Sequence, residues 1–157
     1  MEPRRVRDSQ VYTTELVLPN DTNQLGNLLG GRLMHWIDIT AAIAAYRHSG
    51  RVCVTASVDE LNFHDPIRLG EIVVLQASVN RAFTTSMEVG VLVTAQNTRR
   101  GGEPRRANNA YLTFVAIDEN GRPVPVPPIV PETDEERRRY EEALFRRQLR
   151  LAHRQKG

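Results

Sequence analysis

The chain has 157 residues, 40% apolar and 25% charged, which suits one soluble domain with a real core and excludes wholesale disorder. Its 21 basic and 19 acidic residues leave a formal charge of +2, too little for a nucleic-acid-binding polyelectrolyte. No apolar run approaches the roughly 18–20 residues that cross a bilayer. The polar start, MEPRRVRDSQ, lacks a signal-peptide core, and the single cysteine excludes an internal disulfide. A reducing, cytoplasmic compartment is expected, with Cys53 a buried structural thiol.

Val11 to Leu18 reads as a short strand stopped by Pro19, and Asn20 to Gly26 as a polar turn. Leu28 to Ala45 is predicted helical. Its apolar residues, from Leu29 and Leu33 to Ile39 and Ile43, surround it almost completely, so it is expected to be enclosed. Ser49-Gly50 ends it. The period then changes to two: Val52, Val54, Ala56 and Val58 alternate, and Leu61 and Phe63 continue in the opposite phase. A bulge near Asp59-Glu60 would explain that slip, and His64-Asp65-Pro66 makes a break. Val73 to Val79 and Met87 to Ala95 are two further alternating strands around a turn near Ala82–Thr85. The loop from Arg99 to Arg106 precedes a last strand, about Asn108 to Ile117.

The predicted fold class is therefore α+β, with one strand, a buried helix and four strands in hairpin-like succession. This domain spans residues 1–122. Residues 123–131 carry five prolines and read as an extended connector. Residues 132–157 form a charged C-terminal helix opened by a Thr133/Glu136 capping box. Glu135/Arg139 and Glu142/Arg146 are favourable pairs four apart, and Tyr140, Leu144 and Leu151 give a thin apolar stripe. That helix is expected to be a solvated one resting on the domain or on a neighbour.

Asp38 is the outstanding anomaly. It lies mid-helix among apolar residues, where aspartate has poor propensity and nothing to cap. One reading is a core carboxylate satisfied by a serine or a backbone amide. The other is a general base or a nucleophile. Gly30 and Gly31 open the same helix, where uncapped N–H groups and positive partial charge could hold an oxyanion; the alternative is close helix–sheet packing. Gly30 and Asp38 are eight residues apart, about 12 Å along one helix. One helix cannot bring both to the same reacting carbon, so a shared site needs at least two chains. Asn23 could orient a water or simply form a turn. The four histidines show no metal-ligand spacing, Cys53 has no activating neighbour, and GNLLGG is no nucleotide fingerprint.

The run DTNQLGNLLGGRLMHWID (Asp21 to Asp38), with ASVDELNFHDPIRLGE (Ala56 to Glu71) and SVNRAFTTSMEVGV (Ser78 to Val91), resembles the hotdog-fold acyl-CoA thioesterases. The likeness is to the group of brain-type acyl-CoA hydrolases and small bacterial relatives, and extends over roughly Val11 to Asp118. It implies an antiparallel sheet wrapped around a central helix and hydrolysis of fatty acyl-CoA to acid and CoA. It also implies Asp38 as catalytic carboxylate, Asn23 working with it across a subunit interface, and Gly30 as oxyanion donor. CoA is implied near Gly31, Arg81, Thr84, Thr85 and Ser86, with Arg99, Arg100, Arg105 and Arg106 matching by charge alone. The implied assembly is a homo-oligomer with a dimeric catalytic unit, as a trimer of dimers. No metal or cofactor is expected, because a thioester is already activated. Small bacterial relatives often follow the motif Asp with a glycine pair, whereas Ile39-Thr40-Ala41 stands here. A hotdog hydratase would need a His with a carboxylate in its own motif, and no such arrangement stands near the helix. An acyl-CoA sensor would keep the pocket without needing Asp38.

Overall fold

A computed structural model of the chain describes residues 1–59 and 65–156, with side chains to 154. In chain order the elements are β1 (Arg4–Arg5), β2 (Val11–Leu16), α1 (Gly30–Ser49), β3 (Cys53–Asp59), β4 (Ile72–Ala82), β5 (Ser86–Gln96), β6 (Arg105–Ala116), β7 (Ile129–Val130) and α2 (Asp134–Lys156). Five of the strands form one sheet in the order β2-β4-β5-β6-β3, every pair antiparallel.

The alternation in β4 and β5 sets the core. Val73, Leu75, Ala77, Val79, Met87, Val89, Val91 and Val93 all turn to one face and are buried against α1. Helix α1 answers with Leu33, Ile37, Ala41, Ala44 and Ala45. It ends at Gly50, whose φ of 68° is the left-handed cap that the Ser49-Gly50 pair foretells.

The structure differs from the sequence expectation in four places. First, α1 is enclosed on one side only: Ile39, Ile43 and Tyr46 are exposed, because one sheet covers only one face of a helix. Second, β3 does not continue as a hairpin into β4; it crosses to the far edge and pairs with β6. Val54 and Val58, with Val52 just before the strand, are exposed, and the bulge puts Val58, opposite Leu112, on the α1 side of the sheet and Val54, opposite Val115, on the other. Third, the bulge in β3 lies between Thr55 and Ser57, upstream of Asp59-Glu60. Leu61, Phe63 and His64 lie outside the described residues. Strand β6 also begins earlier than expected, because Arg105 is drawn in by a two-pronged ion pair to Glu71 at 2.7 and 2.9 Å.

The proline-rich segment is extended and laid along the domain. Its Ile129 and Val130 pair in parallel with Arg4 and Arg5, and Val126 and Ile129 enter the core. His48, in the last turn of α1, is buried and donates from Nε2 to the Pro127 carbonyl at 2.6 Å. Helix α2 rests on the opposite face of the sheet through guanidinium groups as well as through the buried Ala143 and the part-buried Tyr140. Arg146 binds buried Glu88 at 2.7 Å and stacks on Tyr111, Arg81 stacks on Tyr140, and Arg147 lies over Phe83. Half of the predicted capping box forms: the Glu136 N–H donates to Thr133 Oγ1.

Candidate active site

Asp38 is half-buried at the boundary between the covered and open sides of α1. Its Oδ1 accepts a 2.7 Å hydrogen bond from the hydroxyl of Thr55, on β3. The partner is therefore a threonine of the edge strand, not a serine or backbone amide. Thr55 immediately precedes the β3 bulge, and a bulge re-aims side chains next to it. Nothing in the sequence pattern singles Thr55 out; its only signal is the nearby break in strand phase. The bond occupies one carboxylate oxygen, and the other has no side-chain partner among the described residues.

Asn23 is both a turn former and a potential donor. Its Oδ1 accepts from the N–H groups of Leu25 (2.9 Å) and Asn27 (3.1 Å), while its backbone N–H donates to the Asn27 carbonyl. Those bonds fix the orientation of the amide, so Nδ2 is left as a donor. Gly26 closes the loop at a φ of 79°, which a side chain would strain.

Gly30 is the first residue of α1. The preceding residue, Leu29, gives no side-chain cap, so the first-turn N–H groups carry none. At Gly31 a Cβ would meet nothing within 4 Å, so packing within the chain does not require glycine there. Asn23 and Gly30 line one cavity of about 330 Å³, with Asn27, Leu33, Asp65 and Asn108 also in its wall. Asp38 is not in it. One chain thus brings Asn23 to Gly30 and Thr55 to Asp38, but does not join the two pairs.

The predicted CoA residues are scattered. Arg81 donates to the Tyr140 carbonyl and stacks on its ring, so α2 already engages it. Thr84 is exposed at the β4–β5 turn, and Ser86 is buried with Arg147 3.4 Å away. This turn stands at the end of the sheet where α1 finishes: Val126 bonds the Thr84 carbonyl, and the next residue bonds His48. Within one chain it is remote from Gly30. A different group gathers beside the Asn23 loop, where Gly26, Arg68, Thr98, Arg99 and Arg100 line a cavity of about 590 Å³. Arg105 is taken up by Glu71, and Arg106 lines a further cavity on the α2 side of the sheet.

Cys53 is half-buried beside the Ser49 hydroxyl, and burial pushes its thiol above the ordinary value, although the Ser49 contact opposes this. It is not an activated nucleophile.

Residues 25–101 match the family model described as the thioesterase superfamily. An uncharacterized acyl-CoA thioester hydrolase of Bacillus subtilis, YkhA, is 47% identical, over 86% of this chain and 78% of its own length. The cytosolic acyl coenzyme A thioester hydrolase of rat is 40% identical over 92% of this chain, which spans only 38% of that longer protein. Among solved structures, the Staphylococcus aureus acyl-CoA hydrolase in complex with butyryl coenzyme A and coenzyme A superposes with a TM-score of 0.90. It has 39% identity and covers 98% of this chain and 93% of its own. A hexameric acyl-CoA thioesterase gives a TM-score of 0.93 at 39% identity, over 98% of this chain and 97% of its own. The chain belongs to the hotdog-fold thioesterase superfamily and, within it, to the acyl-CoA thioester hydrolases.

Proposed function

We propose that the protein hydrolyses fatty acyl-CoA to the free acid and CoA at sites shared between two copies of the chain. The carrying observation is the separation of Asp38–Thr55 from Asn23–Gly30, which one helix cannot close. The first-turn N–H of Gly30 takes the developing oxyanion, and Asn23 Nδ2 donates to the oxygen of the attacking water. Asp38 of the other copy removes that water's proton, with Thr55 holding the carboxylate. Water oxygen bonds to the carbonyl carbon, the C–S bond breaks, and the thiolate recovers the proton from Asp38. A thioester needs no metal for this, because its carbonyl is activated and its leaving group is good.

Three further observations support the reading. The open face of α1 (Ile39, Ile43 and Tyr46), the exposed Val58 on the same side of the sheet and the edge of β3, which pairs with no further strand among the described residues, offer a surface that a second copy would cover. Hexameric relatives favour a trimer of such dimers. Alanine variants of the S. aureus enzyme replace an Asn, an Asp and a Thr at the same mutual spacing as Asn23, Asp38 and Thr55.

The CoA phosphates are assigned to the arginine-lined cavity beside Gly26, with Thr84 to Ser86 and Arg81 supplied by a neighbouring copy. No helix among the described residues is long and apolar enough to cross a membrane, and a cytoplasmic address remains the proposal. The test is hydrolysis of an acyl-CoA panel by wild type and Asp38→Asn. Loss of turnover by a factor of about 10² or more supports the base; equal rates remove Asp38 from the reaction. No turnover at any chain length, with tight CoA binding, would make the protein a sensor.

A further inference from the structure

The cavity beside Gly30 has a second wall whose chemistry the reaction above does not use. Asn108 lies in β6 and pairs in register with Val93; Val93 faces Leu75, and Leu75 faces Thr13. Residues directly opposite in a sheet share a face. The Thr13 hydroxyl meets Thr40 of α1 at 2.8 Å, so this is the helix-facing side. Asn108 is 95% buried there (5% exposed), and neither its Nδ2 nor its Oδ1 has a hydrogen-bond partner among the described residues. Across the same cavity, Oδ1 of Asn27 is also buried and unpartnered among them. An amide kept dry and unbonded costs stability, so such a group is either balanced by a partner or held for a ligand.

Resting on the thioesterase reading, we infer that Asn108 and Asn27 clasp the secondary amide that lies two carbons beyond the sulfur in the pantetheine arm of CoA. A trans amide shows its C=O on one edge and its N–H on the other. It therefore needs a donor on one side and an acceptor on the opposite side. The sheet wall offers the Asn108 Nδ2, and the loop wall offers the Asn27 Oδ1. Gly30 lines the same cavity, so a thioester carbonyl held at the helix start leaves its first amide between these walls. The clasp would set the thioester's depth and favour pantetheine esters over simple ones.

The test compares one acyl group carried on CoA, on N-acetylcysteamine, which keeps this amide, and on ethanethiol, which lacks it. Wild type should prefer the N-acetylcysteamine ester to the ethanethiol ester by about tenfold or more in kcat/KM. Asn108→Leu and Asn108→Ala should bring that preference close to unity, chiefly through KM. Asn108→Leu should also keep or raise Tm, because it removes an unpaired buried amide. A structural asparagine, or one bonded by the partner copy, would instead lower Tm and slow all esters alike, and that result overturns the clasp. So does a wild type indifferent to the amide. If wild type hydrolyses none of these esters, the thioesterase reading fails separately. The clasp is then judged by calorimetry with pantetheine, where binding lost in Asn108→Leu supports it and absent or unchanged binding overturns it.

Discussion

The Thr55 hydroxyl and the Asp38 carboxylate meet at 2.7 Å, joining the edge strand β3 to the middle of α1 at the margin of an open apolar face. The bond holds one carboxylate oxygen, and in the proposed reaction the other takes the water. Thr55→Val should therefore lower kcat by about ten- to a hundredfold and Tm by a few degrees, since a net hydrogen bond to a charged group is worth roughly 1.5–3 kcal/mol. Asp38→Asn should cost about 10²–10⁴ in kcat. A single turnover in oxygen-18 water should place the label in the acid only; label found in Asp38 would show direct attack.

The proposed sharing of sites between two chains makes a complementation test decisive. Asp38→Asn and Asn23→Ala should each be inactive alone. Refolded together, half of the dimers are mixed, and each mixed dimer carries one intact site. Activity should return to about a quarter of wild type by the two-fold symmetry of such pairs. No recovery, with mixed dimers confirmed by mass, would place both residues in a single-chain site.

His48 predicts an acid-sensitive fold. Burial pushes its imidazole below the ordinary value of 6.5; the Pro127 hydrogen bond opposes this, and nearby Arg4 adds to it. The folded chain therefore holds His48 neutral, while the unfolded chain protonates it near 6.5. Its stabilisation is complete above that pH and is lost as pH falls toward the lower folded value, by at most about 1.4 kcal/mol per pH unit. Thermal melts at pH 7.5 and pH 5.5 should show this slope in wild type and a flatter one in His48→Gln.

Gly90 is fixed by packing rather than by backbone conformation. A Cβ there would meet Asn80 Nδ2 at 2.7 Å, and the same Nδ2 holds Glu88 at 3.0 Å. Glu88 is the buried anchor of Arg146 on α2. Gly90→Ala should cost about 1–3 kcal/mol through overpacking and should expose α2 to limited proteolysis.

If phosphates lie in the cavity beside Gly26, Arg99→Ala and Arg100→Ala should each raise KM for acyl-CoA several-fold. The effect should shrink at high salt, where exposed charges are screened, and should vanish on the ethanethiol ester.

Strands β4 to β6 were legible because their apolar residues repeat at 2 and face a core made by the chain itself; the central helix was legible in extent, but its all-round apolar surface did not say that Ile39, Ile43 and Tyr46 would stay uncovered. Strand β3 misled for the same reason. Val52, Val54 and Val58 alternate as core residues do, yet they are exposed, and periodicity does not say which surface an apolar face meets. Asp38 stood out because a carboxylate breaks its helix's pattern. Thr55 did not, because threonine is ordinary in a strand. That α2 rests on the domain was legible, but its means of attachment was not, because Arg146 and Arg147 of a helix read as solvated charge lie flat on Tyr111 and Phe83.

The bare edge of β3 has one more consequence. A valine-rich edge strand is a template for any similar strand, and natural proteins blunt such edges or keep them paired. Here the blunting within the described strand is the irregularity at Ala56 and the charged Asp59 at its end. Chains released from the ribosome thus run a race between correct pairing and uncontrolled stacking. Stability measured on this protein should depend on its concentration, with dilution silencing the enzyme before it unfolds.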